Sequence, residues 1–113
     1  MSVTLIDVHF VRLRTFERTA KGLLSDDDER EIEKAIAEDP EAAPIIRATG
    51  GVRKIRGRLG QRGKRGGLRI LYLYVAATET VYLLLVLPKG AREDISKTDK
   101  QTIKAMVAKL KEE

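Results

Sequence analysis

Two segments, Leu68 to Val75 and Thr80 to Leu87, carry a single charge between them, at Arg69. Such near-continuous apolar runs, rich in branched and aromatic side chains and separated only by Ala76–Glu79, predict an antiparallel pair of central strands buried on both faces. A weaker strand signal lies at about Val52 to Arg58, and another runs from Val3 to about Val11.

Between these strands the apolar period becomes helical. From about Thr15, the positions Phe16, Ala20, Leu23 and Leu24 recur on one face, and Gly22 weakens the last turn. Ser25, followed by Asp26, Asp27 and Asp28, predicts a helix start, because a hydroxyl accepts from first-turn amides and carboxylates suit the positive end of the dipole. Ile32, Ala35 and Ile36 carry that helix inward until Asp39-Pro40 stops it, so the two helices predict a hairpin. Residues 39–51 read as a loop and Gly60 to Gly67 as a glycine-rich turn. Lys97 to Lys111 reads as an amphipathic helix, with Ser96 and Asp99 spaced as a capping box. At 113 residues, with no internal repeat, the chain is expected to form one domain over residues 1–113.

The charge is segregated. Between Glu41 and Glu79 there is no acidic residue, while nine bases and seven of the nine glycines fall there. The remainder holds thirteen bases against seventeen acids, a net of −4 in a chain of net +5. A concentrated cationic segment attracts a polyanion, and phosphate backbones are its commonest partner.

Several chemistries find no support. The chain has no cysteine and one histidine, His9, so neither a thiolate nor a histidine-rich metal centre is expected, and no cofactor is implied. His9 reads as a strand-surface residue, and Ser2, Ser25 and Ser96 fall at a terminus or helix caps, which disfavours a nucleophilic triad. Asp26 to Glu33 is explained by capping and solvation. Gly63-Lys64-Arg65-Gly66 evokes a phosphate loop, but position 58 is Arg where a glycine is required, Arg65 replaces the Ser/Thr, and a strand follows. The start MSVTLIDVHF lacks the basic-then-apolar pattern of a secretory leader, and Val81 to Leu87 is too short to span a bilayer. A cytoplasmic location with no membrane partner is expected.

Strand alternation sets Arg53 and Ile55 on one face and Lys54, Arg56 and Arg58 on the other, with Arg69 opening the neighbouring strand. Like charges in a row on a sheet face are costly unless an anion neutralises them. With only Tyr72, Tyr74 and Tyr82 nearby, on inner strands, phosphate contact is better supported than base stacking.

From about Phe16 to the last helix the chain resembles the RelE/HigB-like toxins of type II toxin–antitoxin systems. The resemblance rests on Leu23-Leu24-Ser25-Asp26, Pro40-Glu41-Ala42, Gly50-Gly51-Val52-Arg53-Lys54-Ile55-Arg56, Gly63 to Tyr72, and Lys89 with Glu93-Asp94-Ile95, in order and at compatible spacing. It implies an α+β fold in which an N-terminal helical hairpin and a C-terminal helix pack on a small antiparallel-rich sheet. It also implies a ribosome-dependent endoribonuclease that cuts message at the ribosomal A site, with Lys54, Arg56, Arg69 and Lys89 matching the catalytic basic positions. Arg53, Arg58, Arg62, Lys64 and Arg65 are then expected to contact phosphate.

Such chemistry needs no histidine, because RNA brings its own nucleophile, the 2′-OH. Crowded cations disfavour one another's charged forms, which makes Lys54 or Lys89 a candidate general base or acid, while Arg56 and Arg69 suit transition-state stabilisation. The implied partner is a cognate antitoxin of helix-turn-helix type, through which operator DNA would be bound. Two alternatives share the scaffold: a ParE-like DNA gyrase inhibitor, and a non-catalytic basic nucleic-acid-binding module.

Overall fold

The computed structural model describes residues 8–57, 68–88 and 97–112. The two apolar runs form the centre as expected: β3 (Leu68–Val75) and β4 (Thr80–Leu87) pair antiparallel across a short 3₁₀ turn at Ala76–Thr78. Before them come β1 (His9–Arg12), α1 (Arg14–Ala20), α2 (Asp26–Glu38) and β2 (Arg53–Gly57), and α3 (Lys97–Glu112) follows. The sheet order is β1-β4-β3-β2, with β2 antiparallel to β3 and β1 parallel to β4. The result is an α+β fold with a mixed sheet.

Both faces of the central pair are covered, which explains why the runs show so little polar alternation. On one face Leu68, Ile70, Tyr72, Val81, Leu83 and Val86 pack against Phe16 and Ala20 of α1 and Ile32 and Ile36 of α2. On the other, Leu71, Leu73, Leu84 and Val52 pack against Ile103 and Val107 of α3. Each large side chain fully buried in this way contributes roughly 1.5–3 kcal/mol.

The alternation breaks once. Leu71 pairs with Leu85, whereas Tyr72 pairs with Leu83, so Leu84 is an extra residue in β4. Such a bulge reverses which face the following residues occupy. Leu83 and Val86 consequently face the helical hairpin, while Leu84, Leu85 and Leu87 face the other way.

Helix α1 holds the bulge. Parallel pairing of β1 ends at Arg12 opposite Leu83, and the amide of Leu13 donates to the Leu83 carbonyl at 3.1 Å. Beyond that point the edge of β4 is served by side chains. The Thr15 hydroxyl donates to the Leu84 carbonyl at 2.7 Å, and the Val86 amide donates to the Thr19 hydroxyl at 2.9 Å. Groups that a bulge would leave unpaired are thereby satisfied.

The hairpin is built as its sequence indicates. Ser25 and Asp28 form a reciprocal capping box, with the Asp28 amide on Ser25 Oγ at 3.1 Å and the Ser25 amide on Asp28 Oδ2 at 2.9 Å. A cap of this kind stabilises a helix by about 1 kcal/mol. Arg12 ties β1 to α2 through Glu29 at 3.2 Å and Glu33 at 2.8 Å. Burial pushes the Glu29 carboxyl above its usual range, and the attraction of Arg12 offsets this only in part.

One expectation changes in detail. The strand anticipated over Val3–Val11 is found as His9–Arg12, its earlier portion lying outside the described residues; His9 is exposed, as expected. Its parallel docking on β4 had no local signal. The glycine-rich turn and the Ser96 cap also lie outside the described residues. Among the described residues, no helix is long and apolar enough to cross a membrane.

Replacing Thr15 or Thr19 by Val strands a buried carbonyl or amide at the bulge. Each substitution is expected to cost about 1–3 kcal/mol in urea unfolding, whereas Ser at either position retains most of the stability. Glu29→Gln tests the second feature. A raised carboxyl pKa means folding favours the protonated form, so stability is present at low pH and is lost as pH rises through the folded pKa. The thermal stability of Glu29→Gln relative to the parent should therefore grow from pH 4 to pH 7.

Candidate nucleic-acid interface

On the sheet face away from the hairpin, the pairing of β2 with β3 collects basic side chains. Lys54 stands opposite Leu71, and Arg56 stands directly opposite Arg69, which in turn is opposite Leu87 of β4. Directly opposed residues in an antiparallel pair share a face, so the Arg56 and Arg69 side chains leave the sheet from neighbouring positions on one face. Arg56 is exposed, and Lys54 and Arg69 are half-buried. Among the described residues no carboxylate lies within ion-pair distance of these three cations. Two like charges facing one another across strands weaken the sheet, and no anion among the described residues relieves them.

The floor beside this row is apolar. The bulge at Leu84 turns Leu85 and Leu87 toward the same face, where both stay half-buried next to fully buried Leu71. Helix α3 closes the other half of this face over Val52, Leu73 and Leu84, and Lys111 Nζ anchors its end on the Gly50 carbonyl at 2.7 Å. Gly50 has φ of +82°, and a Cβ there would meet Val107 Cγ1 at 3.1 Å, so glycine answers both a backbone and a packing demand.

Arg53, grouped with the phosphate contacts on sequence grounds, lies on the opposite face, as strand alternation requires. Its Nη1 donates to the carbonyls of Glu41 at 2.8 Å and Ala43 at 2.7 Å, and its side chain is 16% exposed. The hydroxyl of buried Tyr72 donates to the Pro40 carbonyl at 2.8 Å. Burial pushes that phenol above its usual range, with the charge of Arg53 acting against the shift. Together Arg53 and Tyr72 clamp the loop after α2. They serve the scaffold of the site.

That loop, the end of α2 and the edge of β2 enclose a groove of about 640 Å³, lined mainly by Ala35, Ala42, Ala43, Pro44, Ile55 and Tyr72. Glu38, Asp39, Lys54 and Arg56 also line it, so the two basic residues at the edge of β2 border both this groove and the sheet face. The two carboxylates disfavour a phosphate at the α2 end of the groove, whereas the sheet face carries Lys54, Arg56 and Arg69 with no carboxylate at ion-pair distance among the described residues. Lys89, Arg58, Arg62, Lys64 and Arg65 lie outside the described residues. Of the expected catalytic set, the fold brings Lys54, Arg56 and Arg69 together on one face. Among the described residues no group of three or more carboxylates and imidazoles is arranged to hold a metal ion. None of the tyrosines accompanies the row: Tyr72 and Tyr74 face the hairpin, and Tyr82 packs with the α3 cluster.

These features define a class: a small α+β protein whose covered sheet carries a cationic strip on the face away from its helical hairpin, with no neutralising carboxylate among the described residues. The family model described as the RelE toxin of the RelE / RelB toxin-antitoxin system matches residues 9–113. The chain belongs to the RelE toxin family and is a toxin of a toxin–antitoxin system. Among solved structures, a double arginine-to-alanine mutant of the E. coli toxin RelE in the free state superposes with a TM-score of 0.53 at 17% identity, covering 88% of this chain and 96% of that one. The RelE–RelB complex from Pyrococcus horikoshii gives a TM-score of 0.49 at 17% identity over 75% of this chain and 98% of its own. The first of these likenesses extends the agreement to the fold.

Arg53→Met should lower the unfolding free energy by about 1.5–3 kcal/mol, the value of charge-assisted hydrogen bonds left unmade. Arg56→Ala, at an exposed and self-repelling position, should leave the thermal midpoint unchanged or raise it. Thermal melts of the two variants check the contrast.

Proposed function

We propose that this toxin is a ribosome-dependent endoribonuclease that cleaves message through the 2′-OH of its own substrate and so blocks translation. The observation that carries the reading is the opposition of Arg56 and Arg69, with Lys54 on the same face and no carboxylate partner among the described residues. A strip of this kind is costly to fold without an anion, and it supplies what phosphoryl transfer at RNA requires.

In the proposed reaction the ribose 2′-oxygen attacks the adjacent phosphorus, its proton passes to a lysine Nζ, and the bond to the 5′-oxygen of the next nucleotide breaks. The leaving oxygen takes up a proton, and a 2′,3′-cyclic phosphate remains. Lys54 is assigned as the proton acceptor, and Arg56 and Arg69 as paired donors to the non-bridging oxygens as charge builds there. Lys89 is assigned as the second proton-transfer group on the strength of the family resemblance. No metal or cofactor is required by this scheme. The half-buried Leu85 and Leu87 offer the ribose an apolar seat. Family membership supports a cognate antitoxin as partner, proposed to be of helix-turn-helix type and to link the complex to operator DNA, and it supports the ribosomal A site as the place of cutting.

Induced expression followed by primer extension on a translated message tests the reading. Cuts phased to codons are expected, and Lys54→Ala, Arg56→Ala, Arg69→Ala and Lys89→Ala should each reduce cleavage by at least about 100-fold while the melting profile of each remains cooperative. Loss of plasmid supercoiling with intact message would replace the nuclease with a gyrase inhibitor. Full cleavage by all four variants would remove the assigned residues.

A further inference from the structure

Helix α1 carries a second set of cations that the proposed chemistry does not use. Arg14, Arg18 and Lys21 are exposed and spaced at i, i+4 and i+7, and so form one stripe. Among the described residues none of them has a carboxylate within ion-pair distance. Like charges four residues apart weaken a helix; Arg18 in the last turn suits the negative end of the dipole, while Arg14 in the first turn opposes the positive end.

The contacts of α1 establish where this stripe lies. Thr15 and Thr19 bind the edge of β4 at Leu84 and Val86. Phe16 and Ala20 turn into the hairpin-side core. With about 100° of rotation per residue, Arg14 and Arg18 lie on the other flank of the threonines. That flank borders the sheet face that holds Lys54, Arg56 and Arg69.

The register aligns the two sets. From Thr15 to Thr19 the helix rises about 6 Å, and from Leu84 to Val86 the strand advances about 6.6 Å, so α1 runs alongside β4. One residue before each threonine, Arg14 is then level with Leu84, and Arg18 with the row Leu85–Leu71–Lys54. Across two strand spacings and a helix flank the separation is on the order of 15–20 Å. Helix α2, on the hairpin side, carries seven carboxylates against Arg30 and Lys34, which repels a polyanion from that side.

We propose that Arg14 and Arg18 form a phosphate-binding site on α1 that holds single-stranded RNA as it leaves the cationic row across the apolar floor of Leu85 and Leu87. The occupant is the sugar–phosphate backbone, bound without base selection. This inference rests on the nuclease reading and extends its substrate contacts beyond the reacting phosphate.

The test is fluorescence anisotropy with a labelled, single-stranded 2′-O-methyl oligoribonucleotide, which cannot be cleaved, titrated over a range of salt. The double variant R14Q/R18Q should bind at least about tenfold more weakly at low salt, and its slope of log affinity against log salt should shrink by about 1.4, two phosphate contacts at roughly 0.7 each. R14K/R18K should recover most of the loss, and K34Q on α2 should bind like the parent. Unchanged affinity and slope in R14Q/R18Q, with weakened binding in Lys54→Ala, would overturn this inference alone. A parent protein that binds no RNA would overturn both this inference and the function on which it rests.

Discussion

The pairing of β3 with β4, and the one-residue bulge within it, is the constraint on which the remaining architecture depends. Both strands are buried on two faces, so the alternation of their side chains decides which residues meet the hairpin and which meet α3. A regular β4 would turn Leu85 and Leu87 toward the hairpin and Val86 toward the basic row. The extra residue at Leu84 reverses that, and two threonine hydroxyls from α1 satisfy the polar groups it exposes. Hydrogen bonds of about 1 kcal/mol each thus select the face on which an apolar floor forms beside Arg69.

The two faces of the sheet divide the work. Hairpin-side residues of β2 and β3 stabilise: Arg53 and Tyr72 spend their donors on loop carbonyls, and Ile55 and Ile70 fill the core. Residues one step along each strand, Lys54, Arg56 and Arg69, find no partner of opposite charge among the described residues. The same alternation that builds a sheet therefore separates a cation that holds the loop from cations with no opposite charge beside them among the described residues. Long-range charge reinforces the separation, with α2 strongly acidic and the residues between Glu41 and Glu79 free of carboxylates.

Much of this was legible from local signals. The central strands, the capped start of α2 and its stop at Asp39-Pro40 each follow from a strong short-range preference, and strand parity alone placed Arg53 apart from Lys54 and Arg56. Tertiary choices were not legible. Nothing in His-Phe-Val-Arg indicates parallel pairing on β4, because a short edge strand takes its register from its partner. Leu83-Leu84-Leu85 gives no sign of a bulge, since three identical residues carry no alternation to break. Thr15 and Thr19 read as ordinary helix residues until the strand edge beside them is known. Parity separates the faces of Arg53 and Arg56, but that the loop carbonyls of Glu41 and Ala43 hold Arg53 follows only from the fold.

The central claim, that RNA lies on the sheet face away from the hairpin, is tested most directly by methyl NMR of the leucine, valine and isoleucine side chains during titration with a non-cleavable oligoribonucleotide. Leu71, Leu85 and Leu87 should shift together, while Ile32, Ile36, Ile70 and Val81 in the hairpin-side core stay in place. Shifts confined to the groove around Ile55, with Leu85 and Leu87 unmoved, would contradict the account.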